Sequence, residues 1–150
     1  MSSNNDIEHI NQLQEEVTEE FSMLEDWMDK YDHLIGLGKE LPLINPGEKK
    51  DEYLIRGCQS QVWLNASLKD GKVFYAADSD AIITKGIIAT LVRVLNGHTP
   101  ESILDCELYF IDRIGLKEHL SPTRSNGLLA MIKQMKIYAL AFRAKDTQTN

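Results

Sequence analysis

Gln61-Val-Trp-Leu-Asn-Ala-Ser-Leu68 and Val73-Phe-Tyr-Ala-Ala77, joined by Lys69-Asp70-Gly71-Lys72, decide the architecture. Val62, Leu64, Ala66 and Leu68 alternate with Trp63, Asn65 and Ser67, the period of a strand with one buried face. Asp-Gly supplies the positive φ that a tight turn between right-twisted strands demands, so the two segments form an antiparallel hairpin. Tyr53-Leu54-Ile55, a short apolar run ahead of it, is a candidate third strand. Between that run and the hairpin lies Arg56-Gly57-Cys58-Gln59-Ser60-Gln61, a polar junction that carries a cysteine.

Upstream the chain reads as helix. Ile10, Val17, Leu24 and Tyr31 recur on one stripe with Phe21, Met28 and Ile35 beside it, and Glu15, Glu16, Glu19 and Glu20 fall on the outer face as a solvated surface. Asp26 can accept from the amides of the next turn and would then divide the stretch into two helices; the spacing leaves one or two open. Leu41-Pro42 ends the segment, because a residue before proline is pushed out of the α region. Pro42 to Glu52, with Asn45-Pro46-Gly47 inside it, is polar turn material. Downstream, Ser79 or Asp80 can cap a helix through Ile82, Ile83, Ile87, Leu91 and Leu95, closed by Gly97. Thr99-Pro100-Glu101 starts a short helix, with proline where its missing donor does no harm. Leu108 to Leu120 fits no single pattern. Ser125 opens a long helix on Leu128, Ile132, Met135 and Ala139, before a polar tail from Lys145 to Asn150. The expectation is one α+β domain over residues 1–150: helical segment 6–41, a small antiparallel sheet of about three strands at 53–77, and helices over 80–145 that cover it.

The 150 residues carry a net charge of −7, and the 16 Lys and Arg form no local cluster, so a nucleic-acid partner is not expected. No apolar run reaches the ~20 residues of a membrane span, and the first residues lack the basic then apolar start of a secretory signal. A soluble, cytoplasmic protein is expected. A chain of this length buries enough surface to need no disulfide, and a reducing compartment keeps its two cysteines as thiols.

Those thiols have different surroundings. Cys58 sits at a loop tip where Gly57 removes an obstructing side chain, the setting of a reactive thiol, and a nearby cation or loop amides would favour its thiolate. Arg56 is the nearest basic residue in sequence. Cys106, in Leu104-Asp105-Cys106-Glu107, lies between two acids that disfavour a thiolate, and reads as structural. His9, His33, His98 and His119 do not recur at ligand spacing around either cysteine, so no metal site is expected. Phosphate loops, GxSxG, CxxC and HExxH are absent. A Cys/His hydrolase stays formally open through Cys58 and His119.

Ile55-Arg-Gly-Cys58-Gln-Ser-Gln-Val-Trp63-Leu resembles the signature loop and strand of the SufE family of sulfur acceptor proteins. Trp27-Met-Asp-Lys-Tyr31 through Leu37-Gly-Lys-Glu-Leu-Pro42, Asp78-Ser-Asp80 through Lys85-Gly86, and His119-Leu-Ser-Pro-Thr-Arg124-Ser-Asn-Gly127-Leu are similar to further family segments in the same order. Together they span roughly residues 20–142.

The resemblance implies a fold like that of the U-type iron–sulfur scaffolds and a chemistry centred on Cys58. A pyridoxal-phosphate cysteine desulfurase of the SufS/CsdA type would place sulfur on Cys58, with Gly57, Gln59 and Ser60 as the supporting loop. The sulfur would then pass to a SufBCD-type scaffold in iron–sulfur assembly. The protein would stimulate the desulfurase, be no independent enzyme, and hold no cofactor, the pyridoxal phosphate being the partner's. Asp80, Arg124 and His119 match positions tied to the loop's setting, the partner contact or stabilisation of the thiolate. Asp80 as a simple helix cap and Arg124 in a surface ion pair are the plainer alternatives. An iron–sulfur scaffold and a free-standing thiol enzyme are the other functions weighed. Apolar residues near the loop fit either desulfurase docking or a homodimer contact, and one loop cysteine where scaffolds carry several favours a carrier.

Overall fold

Asp70 and Gly71 take positive φ, 54° and 77°, and close the hairpin between β1 (Val62–Lys69) and β2 (Lys72–Ser79). The computed structural model describes residues 2–149, with the side chains of residues 2–4, 119, 122, 123 and 146–149 outside the description. The strands pair antiparallel from Val62 opposite Ser79 to Lys69 opposite Lys72. Among the described residues the sheet has two strands, and the expected third is reduced to a contact. Asp51–Tyr53 forms a 3-10 turn that consumes Tyr53, leaving one bridge from Leu54 to Trp63 and a 2.8 Å bond from the Ile55 N–H to the Val62 carbonyl. A run of three residues is too short to spare one for a turn and still build a ladder.

The outer edge of β2 is covered by loops. Its outward amides at Val73, Tyr75 and Ala77 donate to the His98 carbonyl, the Asn96 side chain and the Pro42 carbonyl at 2.9, 2.7 and 3.0 Å. Such satisfaction blunts an edge that would otherwise invite another strand.

Asp26 does divide the N-terminal stretch. Its carboxylate accepts from the Asp29 N–H at 2.9 Å, between α1 (Ser2–Ser22) and α2 (Trp27–Gly38). The break shifts the helical phase, so Ile10, Val17 and Phe21 of α1 and Leu34 and Leu37 of α2 are buried, whereas Met28, expected beside the buried stripe, is 73% exposed. The acidic face of α1 is more than a solvated surface. Glu20 is gripped by Arg93 and by His33 at 3.0 Å, and Glu15 pairs with Arg113 at 2.9 Å. The Arg93 guanidinium holds the Glu20 carboxyl below the usual carboxylate range.

α3 (Ile82–Leu95) lies over the sheet with Ile87, Leu91 and Leu95 buried, and Gly97 follows its end at φ 80°. Neither Ser79 nor Asp80 is its N-cap; Ala81 holds that place with no side-chain cap. α2 crosses α3 backbone against backbone: a Cβ on Gly86 would stand 2.2 Å from the Leu34 carbonyl oxygen, so nothing larger than glycine fits. α4 (Pro100–Asp105) is capped by the Thr99 hydroxyl, and the ambiguous stretch after it resolves into two short helices, α5 (Phe110–Arg113) and α6 (Leu116–His119). α7 (Pro122–Thr149) begins three residues before the expected Ser125, because Ser121 accepts from the Arg124 N–H at 3.3 Å and Pro122 takes the first helical position. Tyr75 ties β2 to α7 by a buried bond to the Met135 carbonyl at 2.7 Å. No helix among the described residues is long and apolar enough to cross a membrane.

Candidate functional site

The segment from Arg56 to Gln61 is a loop held at its two ends. On one side stands the Ile55 to Val62 bond. On the other, Gln61 is clamped three ways: its N–H donates to the Asp80 carboxylate at 3.0 Å, and its carbonyl accepts from the Ser79 hydroxyl at 2.8 Å and from the Asp80 N–H at 3.3 Å. Asp80 therefore fixes the loop base instead of capping α3. Between these ends Gly57 takes φ 95°, a conformation that strains any side chain, and a Cβ there would stand 3.4 Å from Ala130 of α7.

This path lays Cys58 against α7 at Gly127. The Cys58 thiol donates weakly to the Gly127 carbonyl at 3.6 Å, and a Cβ on Gly127 would lie 3.5 Å from the sulfur. A side chain longer than alanine would take the thiol's seat. Around the sulfur is a cavity of about 90 Å³, walled by Cys58, Gln59 and Ser60 of the loop, Thr84 and Ile87 of α3, and Arg124, Gly127 and Met131 of α7.

Of the residues expected at the site, Cys58, Gln59, Ser60 and Arg124 meet at this cavity, Gly57 sets its loop and Asp80 its base. The His119 side chain lies outside the described residues. Arg56 turns away, into a separate groove with Asp51, Glu52 and Lys133. Cys58 is half-buried, and burial pushes its thiol up from the ordinary value, so it rests protonated. That reverses the expected lowering by a nearby cation: Arg56 is absent from the cavity wall, exposed Arg124 stands at its rim in water, and desolvation wins.

Cys106 is a core thiol. It is 5% exposed, donates to the Ile103 carbonyl at 3.3 Å at the end of α4, and is pushed up chiefly by burial. No group of three or more His, Cys, Asp or Glu placed to hold a metal ion occurs among the described residues. Sequence reasoning missed Thr84, Ile87 and Met131 as cavity wall; the polar Thr84 beside Ile83 and Ile87 was the one available signal.

A small α+β protein that presents one loop thiol over a cavity is what the fold and site define. The chain belongs to the SufE family: the family model described as an Fe-S metabolism associated domain matches residues 15–139. The chain is 40% identical over 128 residues to an uncharacterized SufE-like protein of Synechocystis sp. (strain ATCC 27184 / PCC 6803 / Kazusa), covering 85% of this chain and 80% of that one. It is also similar to the solution structure of a hypothetical protein from Thermus thermophilus, with TM-score 0.71, 23% identity, and coverage of 86% of this chain and 94% of the other. The structural likeness supports the fold; the family match, with the SufE-like relative beside it, places the protein in iron–sulfur metabolism, with the sulfur-transfer role and desulfurase partner that the family implies.

Proposed function

We propose that Cys58 takes sulfur from the persulfide of a pyridoxal-phosphate cysteine desulfurase of the SufS/CsdA type, that the protein stimulates that desulfurase, and that it delivers the sulfur to a SufBCD-type assembly scaffold. The observation that carries this reading is a loop thiol seated over a cavity and restrained at the loop's two ends. A loop anchored in that way can turn its tip outward into a partner while the hairpin keeps its register.

At rest the Cys58 proton stays on sulfur, because the half-buried seat disfavours the anion. Leaving the seat removes that penalty, and the proton passes to water or to a base of the desulfurase. The Cys58 thiolate then attacks the outer sulfur of the desulfurase persulfide. The bond from Cys58 to that sulfur forms, the bond to the inner sulfur breaks, and the desulfurase cysteine leaves as a thiolate. Sulfur moves with no net oxidation, and Cys58 becomes the persulfide. Arg124, on the cavity rim, is placed to stabilise the anion before or after transfer. The pyridoxal phosphate belongs to the partner, no cofactor of this chain enters, and a thiol carrier of this kind fits the reducing cytoplasm.

The test is incubation with a cysteine desulfurase and L-cysteine, followed by intact mass on wild type, Cys58→Ser and Cys106→Ser. Wild type and Cys106→Ser gain one sulfur and accelerate the desulfurase; Cys58→Ser does neither. Sulfur gain and stimulation by Cys58→Ser would overturn the reading.

A further inference from the structure

The wall of the Cys58 cavity contains a hydroxyl that bonds to no other described residue. Thr84, in the first turn of α3, lines the cavity and is only 6% exposed, yet its hydroxyl has no hydrogen-bond partner among the described residues. Helical threonines ordinarily return their hydroxyl to a carbonyl one turn back. Thr90, on the same helix, does so, donating to the Ile87 carbonyl at 2.7 Å. The fully buried unpartnered side-chain oxygen among the described residues is that of Thr18, so the Thr84 hydroxyl is not sealed in the core but opens onto the cavity, free to meet water or whatever enters it.

The space beside Thr84 has room for such a partner. The cavity, at about 90 Å³, is several times the ~10–15 Å³ that a single water needs, so it can take one more sulfur on Cys58. A sulfur–sulfur bond extends the side chain by only ~2.0 Å. At rest the thiol is spent on the Gly127 carbonyl, which accepts a proton and so suits an S–H but repels an S⁻. A persulfide anion needs a donor. Thr84 offers a hydroxyl, α3 brings an N-terminus without a side-chain cap, and Arg124 stands at the rim.

We infer that the Thr84 hydroxyl donates a hydrogen bond to the outer sulfur of the Cys58 persulfide, making the cavity a two-position seat: thiol on Gly127, persulfide on Thr84. The inference rests on Cys58 as the sulfur acceptor. Its consequence is retention, since a bonded outer sulfur is slower to meet external thiols than one exposed on a loop.

The test loads Cys58 chemically, with inorganic polysulfide and no desulfurase, and confirms one added sulfur by mass in wild type, Thr84→Val and Thr84→Ser, each with Cys106 replaced by alanine. Loss of that sulfur to glutathione is then timed. A net hydrogen bond to a charged group predicts roughly tenfold faster loss from Thr84→Val, with Thr84→Ser near wild type. Thermal melting of Thr84→Val should be unchanged or raised, because the hydroxyl removed is unpartnered in the resting protein; this separates loss of the bond from loss of the fold. Equal lifetimes for wild type and Thr84→Val, or a Thr84→Ser lifetime as short as that of Thr84→Val, would overturn the inference. Failure of a desulfurase to load Cys58 in a separate incubation would instead overturn the acceptor reading and leave these lifetimes standing.

Discussion

The two thiols share more than their sequence settings suggest. Both are pushed up from the ordinary value by burial, and both donate to a backbone carbonyl, Cys58 at 3.6 Å and Cys106 at 3.3 Å. What differs is where the acceptor sits. Cys106 bonds three residues back, at the end of its own helix, within a core shared with Met135 and Ile103. Cys58 bonds across 69 positions to another element, over an open volume, from a loop fastened at its ends. Burial alone does not distinguish the two thiols here. What sets Cys58 apart is a seat on a loop over an open volume.

Labelling is the largest test of that contrast. In the folded protein iodoacetamide should reach Cys58 about a thousandfold faster than Cys106, which opens only on unfolding, and in urea the two rates should converge. Comparable rates in the folded state would erase the distinction. The Cys58 rate should also rise with pH through a midpoint above the ~8.5 of an ordinary thiol. The sign for stability is the same for both: a neutral thiol favoured by the fold contributes fully below the unfolded pKa, and the contribution is lost as pH climbs through the raised folded value.

Next in size is the effect on folding. Cys106→Ser should cost about 1–3 kcal/mol, because a more polar hydroxyl replaces the thiol in an apolar core, while Cys58→Ser should stay within about 0.5 kcal/mol. Urea titration of both variants checks this, and equal losses would make Cys58 as much a core residue as Cys106. Smallest is Gly127→Val, whose side chain would occupy the thiol's seat. Cys58 labelling should quicken about threefold to tenfold with Cys106 unchanged, since the bond displaced is a weak one. An unaltered Cys58 rate would show that Gly127 does not hold the thiol.

Local chemistry was the readable part of the sequence. Asp70-Gly71 demanded a hairpin, Thr99-Pro100 a helix start, and Gly97 a helix end, because each residue type solves a backbone problem within a few positions of itself. Ser121-Pro122 carried the same kind of signal and marks the start of α7 three residues before the periodicity did. Tyr53-Leu54-Ile55 was not readable in that way, since an apolar triplet fits a strand or the exit of a 3-10 turn equally well. At the site, Cys58 was marked by its loop. The raised thiol, the clamp of Asp80 on Gln61 and the unpartnered Thr84 depend on residues tens of positions away, and no local pattern encodes them.

The close crossing of α2 and α3 has a mechanical side. Gly86 lies between Thr84 and Ile87, the two α3 residues that wall the cavity, and at Gly86 the helix rests on the backbone of Leu34 with no room to tilt. The vise that holds the sulfur thus has one jaw bolted to the N-terminal helices and another made of six loop residues, Arg56 to Gln61. In the opening proposed for Cys58, the small jaw would be the part to move, with the frame at rest.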